Sequence, residues 1–534
     1  MHTIRYIHHL ILFAAFLAIL STSCKKELEN INYDQKAIPD GPYLGGLMLS
    51  SMEKNILIIN PAWQYQLQQN LNADIYSGYM ATASAFAADI NNTNYFMMDG
   101  WNGFISSVPF TVMNNWLIVR GITQKKFPEL NAINTILKII AFHRVADVHG
   151  PMPYLKYGDG NDVPFDGLDQ MYYSFFSELT AATHVLDSIV IKNDANTLHN
   201  WEAYDVSSYA GDFKKWIKLS NTLRLRLAIR IAGVDAARAK TEAESAVNNT
   251  YGVLSDTEGP FTISCATPAL NPLYTLNSVW GDCSLGAPVE SYLKGYKDPR
   301  LAKFALPATD TDVAGEFKGI RNGIETPNSQ LYRGYSHCAI GQNDGLIVMT
   351  AAEAYFLKAE GVLNGWNMGS GATAMSLYNA GIAASFKQWG TGDATAYLAD
   401  NTSTAAPWVD TKKASNSVLA GDPNLSTITI QWNDADANDK KLERIITQKW
   451  IAMFPEGEEA WTEFRRTGYP KQFPVLINSS GGEIPNGKFI RRIPYPTSIT
   501  SSSPVQSKAA ISKYFNGHDG SYSPLWWMGA TPKN

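Results

Sequence analysis

Apolar residues recur every three to four positions in several separated stretches of the chain, the spacing of helices with one buried face. Leu130 to Val148 carries Ile133, Ile136, Leu137, Ile140 and Ala141 on one stripe. Asp169 to Ser188 repeats it through Met171, Phe175, Leu179, Ala182 and Leu186, and Asp212 to Ile231 through Phe213, Trp216, Ser220, Leu223 and Leu227. Further helices are predicted over Asp235 to Val247, Ala351 to Asn364, Ala372 to Gln388, Lys441 to Phe454 and Glu458 to Arg466. Strand-like runs are few: Thr427 to Trp432 (TITIQW) and Ile490 to Pro496 (IRRIPYP).

The helices fall into Ala-rich pairs joined by long links, which predicts a mostly α protein. Its expected form is a tetratricopeptide-like scaffold of helix pairs with long irregular loops and a few short strands. Links of this length in a compact domain are usually functional or disordered. The polar stretch Gly390 to Ser426 is expected as an insertion on the surface. No Gly/Ser-rich or Pro-rich linker divides the chain, so residues 41–534 are read as a single domain.

The N-terminus follows a different pattern. Leu10 to Leu20 is unbroken apolar sequence, preceded by Arg5 and followed by Ser21, Thr22 and Ser23. Eleven residues are too few to span a bilayer core, which takes about 20 in a helix. The length and flanks suit a secretory leader over residues 1–23. Cys24 follows at once, and the junction resembles a bacterial lipobox, with Ser21 where leucine is most common. That resemblance implies acylation of Cys24, a tether over residues 24–40, and stable attachment through more than one acyl chain. Lys25 replaces the aspartate that commonly retains lipoproteins at the inner membrane, which points to the outer membrane. The run KKELE after Cys24 resembles surface-export signals, which implies its external side. Cys265, Cys283 and Cys338 show no CxxC or Cys/His spacing, and at most one disulfide can form among them.

Composition narrows the function. A formal net charge of −5 over 534 residues gives no basic footprint for nucleic acid. No HExxH, GxSxG or strand-to-helix GxGxxG is present, and no cofactor is implied. Gly482 to Phe489 fits GxxxxGK, but Phe489 replaces the magnesium-binding hydroxyl. Asp434 to Asp439 resembles the start of a calcium loop. It lacks the turn glycine, however, and has Ile445 in place of the bidentate Glu, so it reads as a solvated turn. Glu458, Glu459 and Glu463 beside Arg465 and Arg466 read as ion pairs on a helix surface, and no metal site or catalytic residue is assigned. In Phe142 to Tyr154 a helix is expected to stop at Gly150, with His143 and His149 on different faces and unsuited to share a metal.

Several segments, in order, resemble the SusD/RagB family of nutrient-binding outer-membrane lipoproteins: DVHGPMPY (Asp147 to Tyr154), PFDGLDQMYYSFFSELTAA, GDFKKWIKLSNTLRLRLAIRI, LKGYKDPRL (Leu293 to Leu301), MTAAEAYFLKAEG (Met349 to Gly361), ERIITQKWIAMFPEGEEAWTEFRRTG and IRRIPYP. The resemblance implies a SusD-like helical scaffold whose loops hold the ligand. It also implies a SusC-like TonB-dependent transporter as partner, and capture of an oligosaccharide for import without bond cleavage. A peptide ligand within the same family remains open, as does a lipid-anchored glycoside hydrolase.

Saccharides are recognised by flat aromatic faces and planar polar groups on preformed surfaces. Asn92 to Phe104 (NTNYFMMDGWNGF) has that composition, with Tyr95, Phe96 and Trp101 among Asn94, Asp99 and Asn102. Its glycines argue for a loop. Tyr76 lies in the nearby DIYSGY, Trp280 in LNSVWGDC and Arg321 in GIRNG. The expected contacts are Trp101 and Trp280 first, then Tyr95, Tyr76, Asn94, Asp99, Asn102 and Arg321. Trp216, Trp450 and Trp461 lie on helical stripes and are expected in the core.

Overall fold

A computed structural model describes residues 42–83, 86–160, 162–193, 197, 199–326 and 330–533. The leader, Cys24 and the tether lie outside the described residues. The described residues from Gly46 onward belong to one compact unit.

The predicted helices are present, and side-chain caps mark the starts of several. They are α3 (Pro128–His149), α4 (Leu168–Lys192), α5 (Phe213–Ile231), α6 (Ala236–Val247), α7 (Ala351–Leu363), α8 (Ala374–Trp389), α9 (Asn438–Met453) and α10 (Gly457–Thr467). Asp212 accepts from the Lys214 and Lys215 N–H groups at the start of α5, and Asp235 from Arg238 at the start of α6. Gly150 ends α3 at φ 98°, a conformation that a side chain would oppose. Two further helices precede these: α1 (Pro42–Ile56) and α2 (Asp99–Lys126).

Successive helices pack on one another from α2 through α6, and α7 packs on α8 and α9. Trp216, Trp450 and Trp461 are buried as expected, as are Ile133, Leu179 and Leu223. Each such aliphatic side chain contributes about 1.5–3 kcal/mol through the water it sheds. Among the described residues the strands are short: β1 (Met80–Thr82), β2 (Phe261–Ile263), β3 (Cys283–Leu285) and β4 (Leu346–Met349). β1 pairs antiparallel with β3, and β2 with β4.

The structure corrects several expectations. Neither TITIQW nor IRRIPYP forms a strand, because side chains and irregular backbone take their polar groups. Tyr296 donates to the Ile428 carbonyl, Tyr378 to that of Ile430, and the Ile493 N–H to Val148. The 390–426 segment is packed inward as well as exposed: Trp408 is fully buried and its indole N–H donates to the Gly319 carbonyl at 3.2 Å. Within the limit of at most one disulfide, Cys265, Cys283 and Cys338 are all buried free thiols.

The carboxylates and arginines of α10 do not lie on a helix surface. Glu458, Glu459, Glu463 and Arg465 are buried. Arg144 pairs with Glu458 (3.1 Å) and Arg230 with Glu459 (2.6 Å), both from other helices, while Glu463 meets Arg466 of its own helix (2.7 Å) as well as Lys449 (3.1 Å). Arg226 and Arg230 of α5 reach Glu353 of α7 and Asp147 of α3, each at 2.6 Å. One ionic network therefore joins five helices.

Candidate functional site

The β1–β3 ladder positions the loops that carry the aromatic residues. Thr82 pairs with Cys283, and the Ala83 N–H donates to the Asp282 carbonyl at 3.2 Å. The chain leaving β1 and the chain entering β3 therefore emerge at the same end of the ladder. Gln66 ties the short helix Ala62–Tyr65 to that end through a 3.2 Å bond to Asp282.

The chain then enters a loop held by asparagines. The Asn92 side chain donates to Asn72 and to Asn102 (2.8 Å), and its Oδ1 accepts from the Met98 N–H at 2.8 Å. Tyr76 donates to the Asn92 carbonyl at 2.7 Å. Asn94 reaches the Ile477 carbonyl, and its own carbonyl accepts from Ser479. Tyr95, left-handed at φ 69°, packs its ring on Tyr76, which in turn meets Trp461. Burial pushes the Tyr76 and Tyr95 hydroxyls well above their usual range, so both stay protonated donors.

Five expected contacts are thereby placed inside the protein. Tyr76, Asn94, Tyr95, Asn102 and Arg321 are buried. Arg321 spends its guanidinium on the Asn416 and Pro474 carbonyls, each at 2.8 Å, and the next residue, Asn322, donates to the Ile75 carbonyl beside Tyr76. These side chains fix the loops and present no face to solvent. Trp101 and Asn102 also sit on the first turn of α2, not on a loop, since the glycines at 100 and 103 leave that turn intact.

What faces outward is an aromatic rim. Trp101 is half-buried, edge-to-face with Phe86 at 6.2 Å. Trp63, 44 % exposed, packs edge-to-face on Phe104 at 5.2 Å, and Phe96 is 45 % exposed. Trp280 is half-buried at the end of a π-helical turn, Thr275–Trp280, where Arg333 donates to its carbonyl at 3.1 Å. Asp99 is exposed and accepts the Thr497 N–H at 2.6 Å. Trp63, Phe86 and Phe104 were not singled out from the sequence. Trp63 stands in the Gln-rich run AWQYQLQQN, the same aromatic and amide mixture that marked the other segments.

Such a rim can adsorb the C–H faces of a sugar, with amides and carboxylates beside it for hydroxyls. The α10 carboxylates considered for a hydrolytic pair are engaged in ion pairs. Burial raises Glu458 to about 8 against the pull of Arg144. Burial also opposes the charge on Glu459, but Arg230, Arg226 and Lys449 outweigh it and lower this group to about 2. Neither carboxylate reaches solvent. Among the described residues no group of His, Cys, Asp and Glu side chains could hold a metal ion, and no helix is long and apolar enough to cross a membrane.

The fold has close counterparts among solved structures. A chitin-binding SusD homologue from Flavobacterium johnsoniae is 40 % identical, with a TM-score of 0.86, covering 92 % of this chain and 100 % of that one. A SusD homologue from Bacteroides vulgatus is 31 % identical (TM-score 0.82; 91 % and 97 % covered). One from Bacteroides uniformis is 33 % identical (TM-score 0.81; 91 % and 99 % covered). No curated protein sequence matches. The sequence matches the family described as "SusD-like: Susd and RagB outer membrane lipoprotein" over residues 27–528. This chain belongs to the SusD-like family of SusD and RagB outer-membrane lipoproteins.

Proposed function

We propose that the protein is a cell-surface lipoprotein that captures an oligosaccharide on its aromatic rim and delivers it to a SusC-like TonB-dependent transporter. The observation that carries this reading is the set of half-exposed rings, Trp63, Trp101 and Trp280, mounted on hydrogen-bonded backbone at one end of the β1–β3 ladder. Preformed aromatic surfaces bind without the ordering cost that mobile loops incur. Trp101 and Trp280 contact the sugar, and Asp99 accepts from its hydroxyls. Tyr76, Asn94, Tyr95 and Asn102 hold the rim in place. The 40 % identity to a chitin-binding homologue favours chains of N-acetylglucosamine as ligand. Acylated Cys24 tethers the protein to the outer membrane beside its channel.

The test is calorimetric titration of N-acetylchitohexaose, alongside a broader glycan and peptide array, into protein beginning after Cys24. Trp101→Ala and Trp280→Ala should each weaken saccharide binding about tenfold or more, the loss of about 1.4 kcal/mol. Binding of a saccharide that is unchanged in both variants would refute the site. In cells, Cys24→Ser should move the protein out of the membrane fraction.

A further inference from the structure

α2 carries a second surface on another side of its axis. Gly103, Ser106, Ser107, Phe110, Asn114 and Leu117, at three- and four-residue spacing, line one wall of a groove of about 890 Å³. Pro153, Tyr157, Gly158, Val163 and Phe165 form another wall, and Ser498, Ser502 and Ser503 complete it. Its size falls within the range of about 300–1,000 Å³ typical of small-molecule sites.

The chemistry of the lining is unusual for so large a concavity, because none of its described residues is charged. Phe110 and Tyr157 stack in parallel at 5.8 Å, and Phe165 is buried beneath. The serine hydroxyls donate to their own backbone: Ser106 to Gly103, Ser107 to Phe104 and Ser502 to Ile499. Their oxygens remain as acceptors. Tyr157 donates to Asn114 Oδ1 at 2.8 Å, leaving the Asn114 amide nitrogen as a donor. Gly158, at φ 93°, brings the loop so close to Leu117 that a Cβ would lie 2.7 Å from it, so the wall is built on close backbone approach.

An anionic ligand would find no cation here, and a cationic one no carboxylate. Hydroxyl acceptors, an amide donor and an aromatic pair match an uncharged saccharide. The groove also ends at the candidate site. Asp99 shares the helix face of Gly103 and Ser106, and it accepts from Thr497, the neighbour of Ser498.

We infer that this groove is a second saccharide-binding site, which holds further uncharged sugar units of a chain whose other part lies on the aromatic rim. The inference rests on the reading of the protein as a glycan binder, and it adds that long neutral chains bind better than short ones.

The test compares disaccharides with hexasaccharides of the chito, malto and xylo series by calorimetry. Ser502→Trp fills the groove from an exposed position, and Tyr157→Ala removes half of the stacked pair. Both should bind the preferred hexasaccharide about tenfold more weakly than wild type, with disaccharide affinity unchanged. In wild type, the hexasaccharide alone should slow amide exchange in residues 103–117 and 497–503. Hexasaccharide binding equal to wild type in both variants, or no added protection there, overturns the groove. Absence of binding for every saccharide in wild type overturns the glycan reading as well. Normal binding that is insensitive to groove variants but lost in Trp101→Ala overturns the groove alone.

Discussion

Asn92 donates to Asn102 across 2.8 Å of protein interior, and this bond ties the loop after β1 to the first turn of α2. The same Asn92 accepts from the Met98 N–H, so one side chain closes the turn immediately before Trp101. Rim geometry therefore depends on an amide that touches no ligand.

Asn92→Ala should destabilise the protein by about 1–3 kcal/mol, because buried polar groups lose their partners. Urea unfolding measures that loss. Saccharide affinity should fall in the same variant although Trp101 and Trp280 are intact. A variant that loses stability but binds as wild type would show that the rim is held by other contacts.

Arg230 joins three helices from a fully buried position, meeting Asp147 and Glu459 at 2.6 Å each. Removing one member of a buried pair leaves the other uncompensated. Arg230→Ala should therefore cost about 3–5 kcal/mol. Asp147 keeps bonds from Tyr172 (2.6 Å) and Trp527 (2.8 Å), which favours the lower end of that range. Arg238→Ala offers the contrast: its partner Glu242 also binds Arg224, and Arg238 is partly exposed, so the change should stay below about 1 kcal/mol.

The two arginines also show what the sequence could and could not carry. Helices α3 to α10 were legible because each repeats an apolar stripe long enough to outvote its polar residues, and because Asp212, Asp235 and Gly150 mark their ends. Whether Glu459 faces water or Arg230 was not legible. The i,i+4 pattern of α10 is the same on a surface as in an interior, and the deciding charge lies 229 residues away. The start of α2 was hidden for a different reason. Gly100 and Gly103 lower helix propensity, but Asp99 in the first turn and the packing of Ile105 compensate, and tertiary context overrides propensity. In the candidate site the sequence located the right segments and could not order them. Asparagines and tyrosines that bind sugar and those that pin a loop have the same composition, and only burial tells Tyr95 from Trp101.

His149 is buried at the end of α3, where its Nδ1 lies 2.8 Å from the Ile493 carbonyl and Arg492 donates to its own carbonyl. Burial, reinforced by the Arg492 charge, lowers its pKa from 6.5 to about 4. The folded protein thus holds His149 neutral while the unfolded chain takes up a proton below about pH 6.5. Stability from this group is complete above that pH and is lost as pH falls toward 4. Its slope approaches about 1.4 kcal/mol per pH unit. Asp74, which burial raises to about 7, contributes in the opposite sense over part of this range, so the total slope does not isolate the histidine. The difference between wild type and His149→Gln does, because glutamine keeps a donor for Ile493 and cannot titrate. Chemical unfolding at a series of pH values from 4.5 to 7.5 should show the variant losing less stability on acidification, by about one proton's worth of slope below pH 6. Parallel curves for the two proteins would mean that His149 is protonated in the folded state as readily as in the unfolded one.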